Sequence, residues 1–129
     1  MDWSKVKYFR KSEFECSCGC GESPMNEEFI KLLDELREEF KSPIYITSGY
    51  RCPAHNKKIG GVSDSYHTKG VAVDIHIYGV NAYNLLKLAL SKFDGIGISQ
   101  KGGVGSRFIH LDKGTLTDGT KNRPAVWSY

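Results

Sequence analysis

Apolar and polar positions alternate with a period of two from Val71 to Ile77. Val71, Val73, Ile75 and Ile77 fall on one phase, and Ala72, Asp74 and His76 on the other. The alternation recurs from Phe108 to Asp112, where Ile109 and Leu111 oppose Phe108, His110 and Asp112. Successive side chains of a strand face opposite sides, so each segment predicts a strand with one apolar face and one chemical face. Ile44-Tyr45-Ile46-Thr47 and the glycine-spaced Gly95-Ile96-Gly97-Ile98 predict two further short strands.

Elsewhere the period lengthens to that of a helix. Phe29, Leu32, Leu33, Leu36 and Phe40 form one stripe, with Ser23 as a cap, Pro24 in the first turn and a stop before Pro43. The opposite face, Lys31, Asp34, Glu35, Arg37, Glu38 and Glu39, is expected to be solvated. A second helix follows Asn81 as cap, with Ala82, Leu85, Leu86, Ala89, Leu90 and Phe93 in phase, and should pack on the sheet's apolar face. Pro53 to Gly61 reads as a short helix closed by glycines. Residues 1–22 read as an irregular arm anchored by Trp3, Tyr8, Phe9 and Phe14. The end, from Asp118 to Tyr129, reads as turn-rich with Trp127 as an anchor.

The 129 residues suit one domain, and 40% hydrophobic with 26% charged residues is ordinary for a globular protein. The net charge of +3 comes from scattered Lys and Arg, which does not point to nucleic acid and suits at most a mild attraction to an anionic wall surface. No apolar run approaches a membrane span, and the N-terminus lacks the apolar core of a signal peptide. Synthesis in the cytoplasm and a monomeric state are expected. Four cysteines, Cys16, Cys18, Cys20 and Cys52, leave three readings open: reduced thiols in a tight turn, a structural zinc or iron clip, or a bridge from Cys52 to one of the trio.

The two alternating strands each carry an imidazole and a carboxylate on the polar side. If they are neighbours in one sheet, His67, Asp74 and His110 converge as three ligands with one coordination position open, as at a catalytic zinc. His76 shares the face of Asp74, and at this level it is an alternative to His67 as ligand or a group lining the cleft. Ser48-Gly49-Tyr50-Arg51 leaves a strand end and is placed to face the same cleft. His55 reads as a surface residue.

Ser65-x-His67-x-x-Gly70-x-Ala72-x-Asp74 resembles the signature of the zinc D-alanyl-D-alanine peptidases, a superfamily that includes VanY-like carboxypeptidases, phage L-alanyl-D-glutamate endolysin peptidases and the hedgehog signalling domain. Ser48-Gly49-Tyr50-Arg51 and the His110 strand stand in the order that superfamily uses. Arg123-Pro124-Ala125-Val126-Trp127 is similar to the tail of its small stand-alone or phage-type members, and the Cys/Gly turn before the first helix is similar to their N-terminal portion. With the residue patterns, the resemblance implies an α+β fold: a small, mainly antiparallel sheet with helices on one face and a metal cleft on the other. It implies one zinc ion held by His67, Asp74 and His110. Arg51 would take a substrate carboxylate or developing oxyanion, and Ser65 and Tyr50 would support the substrate site through hydrogen bonds, a plain packing role being the alternative for Tyr50. The implied reaction is hydrolysis of a peptide bond in peptidoglycan stem peptides, by a carboxypeptidase or an endopeptidase. Acting on the cell wall without a signal peptide would suit release of the phage type.

One position departs from that pattern. The superfamily places a catalytic carboxylate three residues before the last His, and here Arg107 stands there. Asp112 is the candidate base because it shares the strand face of His110; its alternative role is to orient the His110 ring. His76 is a second candidate for proton transfer. A catalytically impaired, zinc-containing wall-binding module is therefore the rival to the enzyme, and a structural metal protein built on the cysteines is a third reading.

Overall fold

The structure is a computed structural model and describes residues 1–117 and 122–129. The part of the expected turn-rich end at 118–121 lies outside the described residues. The chain is α+β: among the described residues it has a five-stranded sheet in the order β1-β2-β4-β3-β5 and three α-helices. The strands are β1 (Tyr45–Ser48), β2 (Ala72–His76), β3 (Gly95–Ser99), β4 (Phe108–Asp112) and β5 (Ala125–Ser128). The first four pair antiparallel, and β5 joins the edge parallel to β3. This last strand falls within the stretch expected to be turns. Its four residues carry too short an alternation to signal a strand alone, and pairing with β3 supplies the missing stability.

The two alternating segments are adjacent strands. Asp74 lies opposite His110, Ala72 opposite Asp112, and His76 opposite Phe108. On the other phase Val71, Val73, Ile75, Ile109 and Leu111 are all buried, at 1% exposure or less. They pack with Phe29, Ile30, Leu33 and Leu36 of α1 (Glu27–Phe40) and Ala82, Leu85 and Ala89 of α3 (Gly79–Ala89) in one core. A one-residue slip of either strand would bury the ionisable face, so the apolar core fixes the register that brings Asp74 and His110 together.

Local details differ from the sequence reading. The cap of α1 is Asn26, whose side chain accepts from the Phe29 N–H at 3.0 Å. Ser23 and Pro24 precede it outside the helix, and the Asn26 N–H is held by the Gly70 carbonyl at 2.9 Å. Helix α3 starts at Gly79, ahead of Asn81. Asp34 is more than a solvated charge: its carboxylate accepts from the backbone N–H of Lys7 and Tyr8, both at 2.9 Å, and ties the arm to α1. Phe9 and Phe14 of that arm are buried in the core, as their anchoring role requires. No described helix is long and apolar enough to cross a membrane.

Candidate active site

The polar sheet face opens into a cleft of about 490 Å³, lined by Arg51, Asp64, Ser65, His67, Asp74, His110, Asp112, Arg123, Trp127 and Tyr129, among others. Each ligand candidate is placed by backbone structure. His67 sits in a 3-10 turn, Tyr66–Lys69, capped by Ser65, whose hydroxyl accepts from the His67 N–H at 3.3 Å. Asp74 and His110 face each other across the β2–β4 ladder.

The ring nitrogens are assigned by their partners. His67 Nδ1 lies 2.8 Å from the Gly49 carbonyl, which can only accept, so this nitrogen carries the proton and Nε2 keeps a lone pair. His110 Nε2 lies 2.7 Å from the Asp112 carboxylate and is likewise the donor, leaving Nδ1 with the lone pair in the neutral ring. Both lone-pair atoms converge on Asp74 Oδ1, His110 Nδ1 at 3.0 Å and His67 Nε2 at 3.4 Å. Three electron-rich atoms at these distances repel one another unless a proton or a cation lies among them. Tetrahedral ligands about 2.0–2.1 Å from a zinc ion stand roughly 3.3 Å apart, which matches this spacing. The donor set fits a metal ion.

The electrostatics agree with the geometry. Burial alone would raise the Asp74 carboxyl, but the His110 and His67 contacts hold it well below the ordinary carboxylate range. Burial alone would lower His110, but the carboxylates of Asp112 and Asp74 outweigh it and raise the ring above its usual value. Asp112 is fully buried; burial pushes its carboxyl up, and hydrogen bonds from His110 and Arg123 bring it down past the ordinary value.

Arg123 was noted in the sequence only as part of a tail. In the fold its Nε and Nη2 both bond Asp112 at 2.8 Å, a two-pronged grip on the residue that orients His110. Its guanidinium also lies over the rings of Tyr66 and Trp127. The only sequence signal for this pairing was an Arg close to a Trp at the chain end, and nothing local to it specifies a partner on β4. The glycines of β3 make the room: a Cβ on Gly95 would stand 2.0 Å from Asp112 Oδ1, and one on Gly97 would stand 2.6 Å from Trp127 Nε1.

The remaining expected residues divide. Arg51 lines the cleft, with Nη1 bonded at 3.0 Å to Oδ1 of the buried Asn56. Ser65 lines it too. Tyr50 does not: it is 7% exposed and packs in the hydrophobic core, so its phenol ring is committed to packing. His76 does not line this cleft either: it lies two residues beyond Asp74 on β2, and its Nδ1 is held by the Arg107 carbonyl at 3.1 Å. Asp112 borders the cleft but has His110, Arg123 and the Gly114 N–H as partners. The Arg107 side chain turns to the Gly102 carbonyl and leaves the cleft without a cation at that position. His55 is half-buried, with its Nε2 3.1 Å from the Ser17 hydroxyl.

This combination of fold and site is that of a peptidase: the family model for peptidase M15 matches residues 7–112, and the chain belongs to that family. Among curated relatives, the peptidoglycan L,D-endopeptidase MepK of Escherichia coli (strain K12) is 39% identical over 83 residues, covering 57% of this chain and 42% of MepK. MepK of Shigella flexneri matches to the same extent. The chain thus spans less than half the length of these relatives.

Proposed function

We propose that the chain is a zinc-dependent peptidase that hydrolyses peptide bonds in peptidoglycan stem peptides. The observation that carries this reading is the convergence of His67 Nε2, His110 Nδ1 and Asp74 Oδ1 on the floor of an open cleft beside Arg51. These three residues would hold the ion, and when bound it would supply Lewis-acid polarisation of the scissile carbonyl and a lowered pKa for water.

The chain's own residues do the rest. Gly49 and Asp112 fix the ring tautomers, so that each imidazole presents its lone pair inward. Asn56 holds one nitrogen of Arg51 and leaves the other donors for a stem-peptide carboxylate or a developing oxyanion. Asp112 acts by orienting His110, since its oxygens are already engaged. Among the described residues, Asp64, exposed at the rim, is the remaining carboxylate lining the cleft and the candidate to carry a proton to the leaving amine. The relatives' name favours an internal bond, and a carboxypeptidase is the alternative within the same chemistry.

Incubating zinc-loaded protein with purified sacculi, followed by mass spectrometry of the products, tests the proposal. Cut stem fragments indicate an endopeptidase and free D-alanine a carboxypeptidase. Asp64→Asn is expected to lower turnover by roughly 10²-fold while zinc stays bound. The absence of a carboxylate at Arg107 favours a second reading, a wall-binding module. Protein retained on the wall with no product released would establish that reading and exclude the enzyme.

A further inference from the structure

Four thiols meet at a place the peptidase chemistry does not use. The Sγ atoms of Cys16, Cys18, Cys20 and Cys52 all lie within 4.8 Å of one another, with Cys16 to Cys18 at 3.4 Å and Cys18 to Cys52 at 3.6 Å. A disulfide needs about 2.05 Å between sulfurs, and no cysteine is bridged. Four thiolates around a tetrahedral zinc at about 2.3 Å would have their sulfurs roughly 3.8 Å apart, which is the scale of this cluster.

The surrounding backbone is built for sulfur that carries negative charge. The Cys52 N–H points at Cys16 Sγ at 3.3 Å, and the His55 N–H at Cys52 Sγ at 3.4 Å. The turn that brings three cysteines to one point closes with the Cys16 N–H on the Glu22 carbonyl at 2.9 Å and passes through Gly19 at φ 85°, a left-handed conformation that a side chain would disfavour. The fourth sulfur comes from 32 residues beyond Cys20, at the residue after Arg51.

We propose that Cys16, Cys18, Cys20 and Cys52 form a second metal site, a four-thiolate structural zinc that clips the N-terminal arm to the segment carrying Arg51. All four positions are protein sulfur, so the ion has no open coordination position and no catalytic part. Its consequence is positional. Within residues 49–52, the Gly49 carbonyl orients His67, the Tyr50 N–H bonds the Phe14 carbonyl at 2.9 Å, and the Arg51 N–H bonds the His67 carbonyl at 3.1 Å. The clip therefore fixes the same few residues that set a ligand ring and place the cleft guanidinium.

The test is metal content and cobalt spectroscopy on the full chain, purified under reducing conditions. Wild type is expected to hold about two zinc ions per chain and the His67→Ala/His110→Ala variant about one. Cobalt in that variant should show the intense near-ultraviolet band of thiolate-to-metal charge transfer. Cys18→Ser and Cys20→Ser, at exposed positions, should remove the band and the ion while α-helical circular dichroism persists. Loss of all metal in His67→Ala/His110→Ala, or unchanged zinc content in both serine variants, would overturn the proposal. Because the catalytic ligands are absent from the key variant, failure of the thiolate site and failure of the peptidase reading are separate results.

Discussion

Removing Arg123 should both destabilise the protein and loosen the metal site. Its guanidinium supplies two of the hydrogen bonds to Asp112 and the cation that balances a carboxylate with no solvent exposure. Truncating one partner of such a pair leaves the other charge buried and costs about 3–5 kcal/mol. Two charge-assisted hydrogen bonds at about 1.5–3 kcal/mol each give about 3–6 kcal/mol, with the same lower end. Because the Arg123 side chain keeps 12% exposure at the cleft lip, the lower end applies, about 3 kcal/mol for Arg123→Ala. For a chain of this size that is a fall in Tm of roughly 10–15 °C. Arg123→Lys keeps the charge but not the fork, and about half the loss is expected. Zinc affinity should fall by roughly 10–100-fold, since Asp112 then holds His110 less firmly. The assay is guanidinium unfolding of metal-free Arg123→Ala, Asp112→Asn and the double variant, which gives the coupling between the two side chains. A change within about 0.5 kcal/mol for Arg123→Ala, or strictly additive effects in the cycle, would refute the assigned grip.

Gly95→Ala should cost about 2–3 kcal/mol and reduce zinc binding, because the new methyl would meet a carboxylate that cannot swing away; near-normal unfolding and zinc titration would count against the packing given for Asp112. Asn56→Ala should raise KM for stem peptides more than it lowers kcat, as Arg51 loses its tether; an effect confined to kcat would contradict a carboxylate-binding role. In metal-free protein the folded carboxyls of Asp74 and Asp112 lie below their unfolded value of about 3.9, so their stabilisation is present above that pH and is lost as pH falls through the folded values. His110 runs the other way: its contribution is full below about pH 6.5 and is lost as pH rises through its raised folded value. Thermal melts of metal-free protein across pH should show both slopes, and Asp112→Asn should flatten the acidic one. A flat profile would remove the electrostatic account of the triad.

The strands carrying Asp74 and His110 were legible because their apolar phase is continuous. Val73 and Ile75, with Ile109 and Leu111, fix which side chains face the cleft, so the sequence pattern alone puts Asp74 and His110 on that face. His67 was legible as part of a spaced motif, since it lies on a turn with no period of its own. What the sequence concealed depends on contacts between distant segments. Strand β5 exists through its pairing with β3, and Arg123 matters through Asp112, eleven residues earlier. The glycines of β3 looked like weak strand formers, yet their missing side chains are what admit Asp112 and Trp127. Tyr50 and His76 lie away from the cleft for different reasons. Tyr50 leaves a strand end but turns into the core, and His76 is in phase with Asp74 but is engaged by the Arg107 carbonyl. Phase identifies a face, but not which residues on it reach the cleft: Phe108, directly opposite His76, lines it.

Anomalous diffraction at the zinc absorption edge, from crystals of the zinc-loaded chain, addresses the proposed catalytic centre directly. A peak about 2.0–2.2 Å from His67 Nε2, an Asp74 carboxylate oxygen and His110 Nδ1, with a fourth position facing the cleft, is the predicted result. Zinc coordinated instead through His110 Nε2 or His76, or no peak at the triad at all, would contradict it.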